Sequence, residues 1–111
     1  MSATITLDEL RSAIDSGDVT VVDTLGPIYF EASHIPGAIN IPHTEVRAVA
    51  PELLPDRDAP IVTYCSNEAC RNSGIAQAQL VAMGYTNVRK FAGGKQEWAE
   101  AGLSLDAVVA A

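Results

Sequence analysis

Apolar and polar positions change period several times along the chain, and each change marks an element. Leu7, Leu10 and Ile14 share one helical face behind Thr6-Leu7-Asp8-Glu9, where the Thr6 hydroxyl and Glu9 carboxylate can each take a free backbone N–H. Ile5 and Leu10 fit the flanking hydrophobic staple, and Gly17 stops the helix. Val19-Thr20-Val21-Val22 is a β-branched run ending on Asp23, which predicts a buried strand. A turn-rich segment runs from Gly26-Pro27 through His34-Ile35-Pro36-Gly37. Ala38-Ile39-Asn40-Ile41 reads as a second strand closed by Pro42, and a helix spans Glu45 to Leu54 with Pro51 kinking or shortening it. Ile61-Val62-Thr63-Tyr64 predicts a third strand running into Cys65. A helix from Asn72 to Met83 puts Ala76, Leu80 and Met83 on one face, with Gly84 as its cap. Asn87 to Phe91 is a fourth strand, Gly93-Gly94 a turn, and Lys95 to Ala101 a last helix stopped by Gly102. Ala107-Val108-Val109-Ala110-Ala111 reads as a loosely docked tail.

Strands alternating with helices imply an α/β fold, a parallel sheet covered on both faces. Ligands of such sheets bind beyond the carboxyl ends of the strands, where Asp23 and Cys65 both stand. A length of 111 residues fits one domain, with a core over residues 4–104 and a tail over 105–111. Hydrophobic residues at 48% supply a core that does not depend on disulfides.

Seven basic against fourteen acidic residues give a net charge of −7, which argues against nucleic acid and anionic membrane surfaces as partners. An anionic substrate must therefore be held by local groups against the overall field. No basic stretch followed by an apolar run opens the chain, and no stretch approaches the roughly 20 apolar residues of a membrane span. The expected compartment is the cytoplasm, where thiols stay reduced and two cysteines point to chemistry rather than structure.

That chemistry centres on Cys65-Ser66-Asn67-Glu68-Ala69-Cys70-Arg71. A cysteine leaves a buried strand, a short loop of small and polar residues follows, and a helix begins. Successive N–H groups of Ser66 through Arg71 can converge as an anion nest, to which the helix N-terminus adds partial and Arg71 full positive charge. The same apparatus stabilises a Cys65 thiolate and the anion that it attacks. The plainer reading makes Cys65 a small buried hydrophobe ending a core strand. Glu68 would repel an oxyanion if it faced inward, and is expected to face solvent.

These residues resemble the rhodanese superfamily over nearly the whole chain. Val21-Val22-Asp23 with His34-Ile35-Pro36-Gly37-Ala38-Ile39-Asn40-Ile41-Pro42 is similar to its N-terminal signature, and Ile61-Val62-Thr63-Tyr64-Cys65 to its active-site strand and nucleophile. Gly84-Tyr85, Asn87-Val88, Gly93-Gly94 and Trp98 are similar to its C-terminal half. The resemblance implies a rhodanese-like parallel sheet of about five strands flanked by helices. It also implies a sulfurtransferase in which Cys65 carries sulfur as a persulfide. A small sulfur-containing anion such as thiosulfate would be the donor, and a thiol, cyanide or a protein the acceptor. No metal or organic cofactor is required. Three positions depart from the pattern. Leu25 stands where the family usually has Arg, and Ser33 where it usually has Gly. Five residues rather than four separate Cys65 from Arg71, a spacing that resembles the related phosphatases and arsenate reductases. These enzymes, and a non-catalytic persulfide carrier or interaction module, are the alternatives.

Cys70 has two readings: a loop residue with a buried thiol, or a resolving thiol that attacks the Cys65 persulfide, releases sulfide and leaves a disulfide. His34 is expected to hold its turn by hydrogen bonds, and Asp23 to bind backbone N–H groups of an adjoining loop. His43 has no evident partner. Zinc is not expected, because the cysteine and histidine spacings do not match structural sites. Trp98 and Phe91 read as core, and Arg89, Lys90 and Lys95 as a solvated face that could flank the mouth of the site.

Overall fold

The computed structural model describes residues 3–108. In chain order the elements are α1 (Leu7–Ser16), β1 (Thr20–Asp23), α2 (Pro27–Ala32), β2 (Ile39–Asn40), α3 (Val46–Leu53), β3 (Ile61–Tyr64), α4 (Asn72–Ala82), β4 (Val88–Phe91) and α5 (Gly94–Glu100).

The opening helix follows from its cap. Thr6 N–H donates to Glu9 Oε1 at 3.0 Å while Glu9 N–H donates to Thr6 Oγ1 at 3.1 Å, and Gly17 closes the helix at φ 71°. Leu10 is completely buried, so its truncation to Ala costs about 2–5 kcal/mol.

All four strands are parallel, in the order β2-β1-β3-β4. The fifth strand that the resemblance implies is reduced to a single bridge. Ala3 O accepts from Lys90 N–H at 3.0 Å and Ile5 N–H donates to Lys90 O at 3.1 Å, beyond β4. Pairing stops there because the next residue, Thr6, already caps α1. Strand alternation divides the core in two. Val22, Ile61 and Val88 pack with α3 and α4 through Val46, Ala50, Ala76 and Leu80. Val21, Val62, Tyr64 and Phe91 pack on the other face with Leu10 of α1 and Trp98 of α5.

One expectation needs correction. The segment read as turns contains α2, begun by Gly26 with Pro27 in its first turn, where a missing N–H costs nothing. Through its described part the tail docks against residues 31–34. His34 and Asp106 exchange backbone hydrogen bonds of 2.8 and 2.9 Å, and Val108 N–H donates to Glu31 O at 2.9 Å. Positions 109–111 of the expected tail lie outside the described residues. Pro51 sits inside α3 without ending it, and the helix runs to Leu53.

Candidate active-site loop

The order in which parallel strands are added reverses at β1: from β1 the sheet grows one way to β2 and the other way through β3 and β4. The carboxyl ends of β1 and β3 thus flank the crevice in which such sheets bind ligands. Asp23 ends β1 opposite Tyr64, which ends β3, and Cys65 follows with 1% of its surface exposed.

Two segments fix the backbone around Cys65. Just after β1, Thr24 donates both its N–H (3.1 Å) and its hydroxyl (2.8 Å) to Tyr64 O. From α5, Lys95 N–H donates to Cys65 O at 3.0 Å and Gln96 N–H to Ser66 O at 2.9 Å. At the start of α5, Gly94, at φ 59°, lies where a Cβ would collide with the Cys65 carbonyl oxygen. Only glycine combines that backbone conformation with that approach. Neither Thr24 nor this clamp was anticipated. The Gly93-Gly94 pair carries the signal, but in the sequence it reads as a turn and a family-like motif, not as a clamp on Cys65.

Beyond Ser66 the loop curls on Asn67. Its Oδ1 accepts from Ala69 N–H at 2.9 Å and its backbone carbonyl from Cys70 N–H at 3.1 Å. The curl brings the Cα atoms of Cys65 and Cys70 to 6.2 Å, and their sulfurs are joined in a disulfide. Two of the N–H groups expected to face an anion are thereby used inside the loop. Those of Ser66, Asn67 and Glu68 meet no protein acceptor among the described residues. Arg71 caps α4 in the αR conformation and its side chain is exposed. Asn67, Glu68 and Ala69 line an open groove of about 450 Å³ against α5, across from Glu97 and Glu100. Glu68 is exposed there, so three carboxylates border the loop.

Behind Cys65, Asp23 is fully buried. Its Oδ1 accepts from Leu25 N–H at 2.9 Å and its Oδ2 from the Tyr64 hydroxyl at 2.7 Å, which itself accepts from Ile35 N–H at 3.0 Å. Burial, and then the Asp23 charge and hydrogen bond, push the Tyr64 phenol far above its ordinary pKa. Lys95 does not sit on a solvated face. Its ammonium donates to Ser33 O at 2.7 Å and Tyr29 O at 3.1 Å, capping the C-terminal end of α2. Burial lowers its pKa, an effect the nearby Asp23 charge opposes. The Lys90 ammonium lies toward Gly74 of α4. His34 holds its turn through Nδ1 to Phe30 O at 2.8 Å and stacks on the Phe30 ring at 4.0 Å. His43 contributes its backbone N–H to Thr24 O at 3.1 Å. Phe91 and Trp98 are core residues, 1% and 6% exposed.

Comparison with known proteins agrees with this geometry. The family model described as "Rhodanese-like domain" matches residues 6–101. The chain is 38% identical over 102 residues to an HTH-type transcriptional regulator of Mycobacterium tuberculosis, covering 92% of this chain but only 44% of the regulator. It is 38% identical over 72 residues to the thiosulfate sulfurtransferase PspE of Escherichia coli, covering 65% of this chain and 67% of that protein. The solved structure of a human single-domain sulfurtransferase superposes with a TM-score of 0.79 at 29% identity, covering 90% of this chain and 97% of the human one.

Proposed function

This chain belongs to the rhodanese-like domain family, and from that premise we propose that it is a sulfurtransferase in which Cys65 accepts sulfane sulfur from a small anionic donor such as thiosulfate. One observation carries the reading: Cys65 is the residue at which buried β3 opens, at the topological switch of the sheet, into a loop leading to a helix N-terminus.

Two-step nucleophilic catalysis follows from that position. With the disulfide reduced, the Cys65 thiolate attacks the outer sulfur of thiosulfate. The bond between the two thiosulfate sulfurs breaks, and its electron pair departs with sulfite. The N–H groups of Ser66, Asn67 and Glu68, the start of α4 and Arg71 supply positive potential for the departing anion. The persulfide then yields its outer sulfur to cyanide, a thiol or a protein acceptor. Thr24 on the Tyr64 carbonyl and Lys95 N–H on the Cys65 carbonyl, with Gly94 packed against the latter, keep the nucleophile in place while the loop beyond it adapts. Thiocyanate formation from thiosulfate and cyanide, after reduction and removal of reductant, tests the proposal. Wild type forms thiocyanate and folded Cys65→Ser does not; equal turnover by both excludes Cys65 as the carrier.

Loop length favours a second reading. Five residues, Ser66 through Cys70, precede Arg71, which gives room for three oxygens around a central phosphorus or arsenic. Faster consumption of arsenate or an aryl phosphate than of thiosulfate would establish that reading instead.

A further inference from the structure

The Cys65–Cys70 bond joins two particular atoms, and that pairing decides what happens to a persulfide. A sulfur bound to Cys65 has two electrophilic positions: the outer sulfur, whose attack transfers it, and Cys65 Sγ, whose attack expels it. The curl built on Asn67 delivers Cys70 Sγ to Cys65 Sγ. On the other side Thr24, Lys95 and Gly94 hold the main chain of Cys65, so the moving partner is the half of the loop that carries Cys70.

From this geometry we propose that the protein has a second activity, the reduction of thiosulfate to sulfite and sulfide by the Cys65/Cys70 dithiol, with Asn67 as its positioning residue. The proposal rests on the reading of Cys65 as the sulfur acceptor. Once the persulfide has formed and sulfite has left, the Cys70 thiolate attacks Cys65 Sγ. The bond from that sulfur to the outer sulfur breaks, and the outer sulfur leaves with the electron pair, taking up a proton as hydrosulfide. One thiosulfate and two thiols thus become one sulfite, one hydrogen sulfide and one disulfide. The two electrons come from the cysteine pair, and the disulfide is the oxidised product. A second turnover requires an external dithiol, such as dithiothreitol or a dithiol protein, to reduce it. An external acceptor competes with Cys70 for each persulfide, so acceptor concentration sets the ratio of transfer to sulfide release.

A single-turnover experiment separates the possibilities. Protein is reduced, freed of reductant and mixed with excess thiosulfate without cyanide or thiol, then analysed for sulfide, sulfite and intact mass. Wild type releases about one equivalent each of sulfide and sulfite and loses the mass of two hydrogens. Cys70→Ser releases sulfite alone and gains the mass of one sulfur. Asn67→Ala shifts the ratio of retained sulfur to released sulfide several-fold toward retained sulfur. Wild type that retains its sulfur and releases no sulfide overturns the reductase activity while leaving sulfur transfer intact. If Cys70→Ser neither gains sulfur nor forms thiocyanate, the underlying assignment of Cys65 fails and this proposal with it.

Discussion

The hydroxyl of Tyr64 donates a 2.7 Å hydrogen bond to Oδ2 of Asp23, joining the carboxyl ends of β3 and β1 directly behind Cys65. Both residues are fully buried, and the same hydroxyl accepts the Ile35 N–H. Tyr64→Phe strands a buried carboxylate oxygen and a buried N–H together, a loss expected to be about 1–3 kcal/mol. Urea denaturation of the two proteins at neutral pH measures it.

The same pair makes the fold sensitive to base. Because the folded phenol has a raised pKa, its stabilisation is complete below the unfolded tyrosine value of about 10 and is lost as pH rises above it, by up to about 1.4 kcal/mol per pH unit. Lys95 acts in the opposite sense. Its lowered pKa makes the charged form costly in the fold, a cost relieved as pH rises toward the unfolded lysine value of about 10.4. The difference between wild type and Tyr64→Phe across this range therefore isolates the phenol. Parallel stability curves for the two proteins above about pH 10 would contradict the assignment.

Gly94 and Gly17 form a matched pair of tests. Each has positive φ, 59° and 71°, but only at Gly94 would a Cβ strike the Cys65 carbonyl, whereas none lies within 4 Å at Gly17. Gly17→Ala should lose about 1–2 kcal/mol and leave sulfur transfer unchanged. Gly94→Ala should lose more and reduce kcat, because the Cys65 main chain must shift. Thiocyanate assays on the folded fractions distinguish the two.

Glu97 and Glu100 face the loop across the groove with Glu68, in a chain of net charge −7. They oppose an approaching dianion, so Glu97→Gln with Glu100→Gln should lower the KM for thiosulfate several-fold at low ionic strength. The effect should shrink toward nothing as salt rises past about 0.1 M, where the screening length is about 10 Å. A KM that is independent of both charge and salt would mean that the donor enters from another side.

Much of this fold was legible because local and global signals agree. Thr6 and Glu9 fix the start of α1, and the β-branched runs before Asp23 and Cys65 define the two central strands. What escaped depends on contacts distant in sequence. Helix α2 exposes Ile28 and Tyr29 and so shows no apolar stripe; Lys95 and the chain near Val108 hold it from outside. Lys95 looked like a surface charge because its acceptors, Tyr29 O and Ser33 O, are main-chain atoms that no pattern marks. The spacing of Cys65 and Cys70 was plain, but their proximity required the turn on Asn67, whose side chain could equally have faced solvent.

The most direct test of Cys65 as a sulfur acceptor uses reduced Cys70→Ser protein, in which no second thiol can clear the product. After thiosulfate treatment and proteolysis, mass spectrometry should find one added sulfur on the peptide containing Cys65, matched by an equal amount of free sulfite. A folded protein that gains no sulfur at Cys65, or releases sulfite without gaining any, would contradict the account.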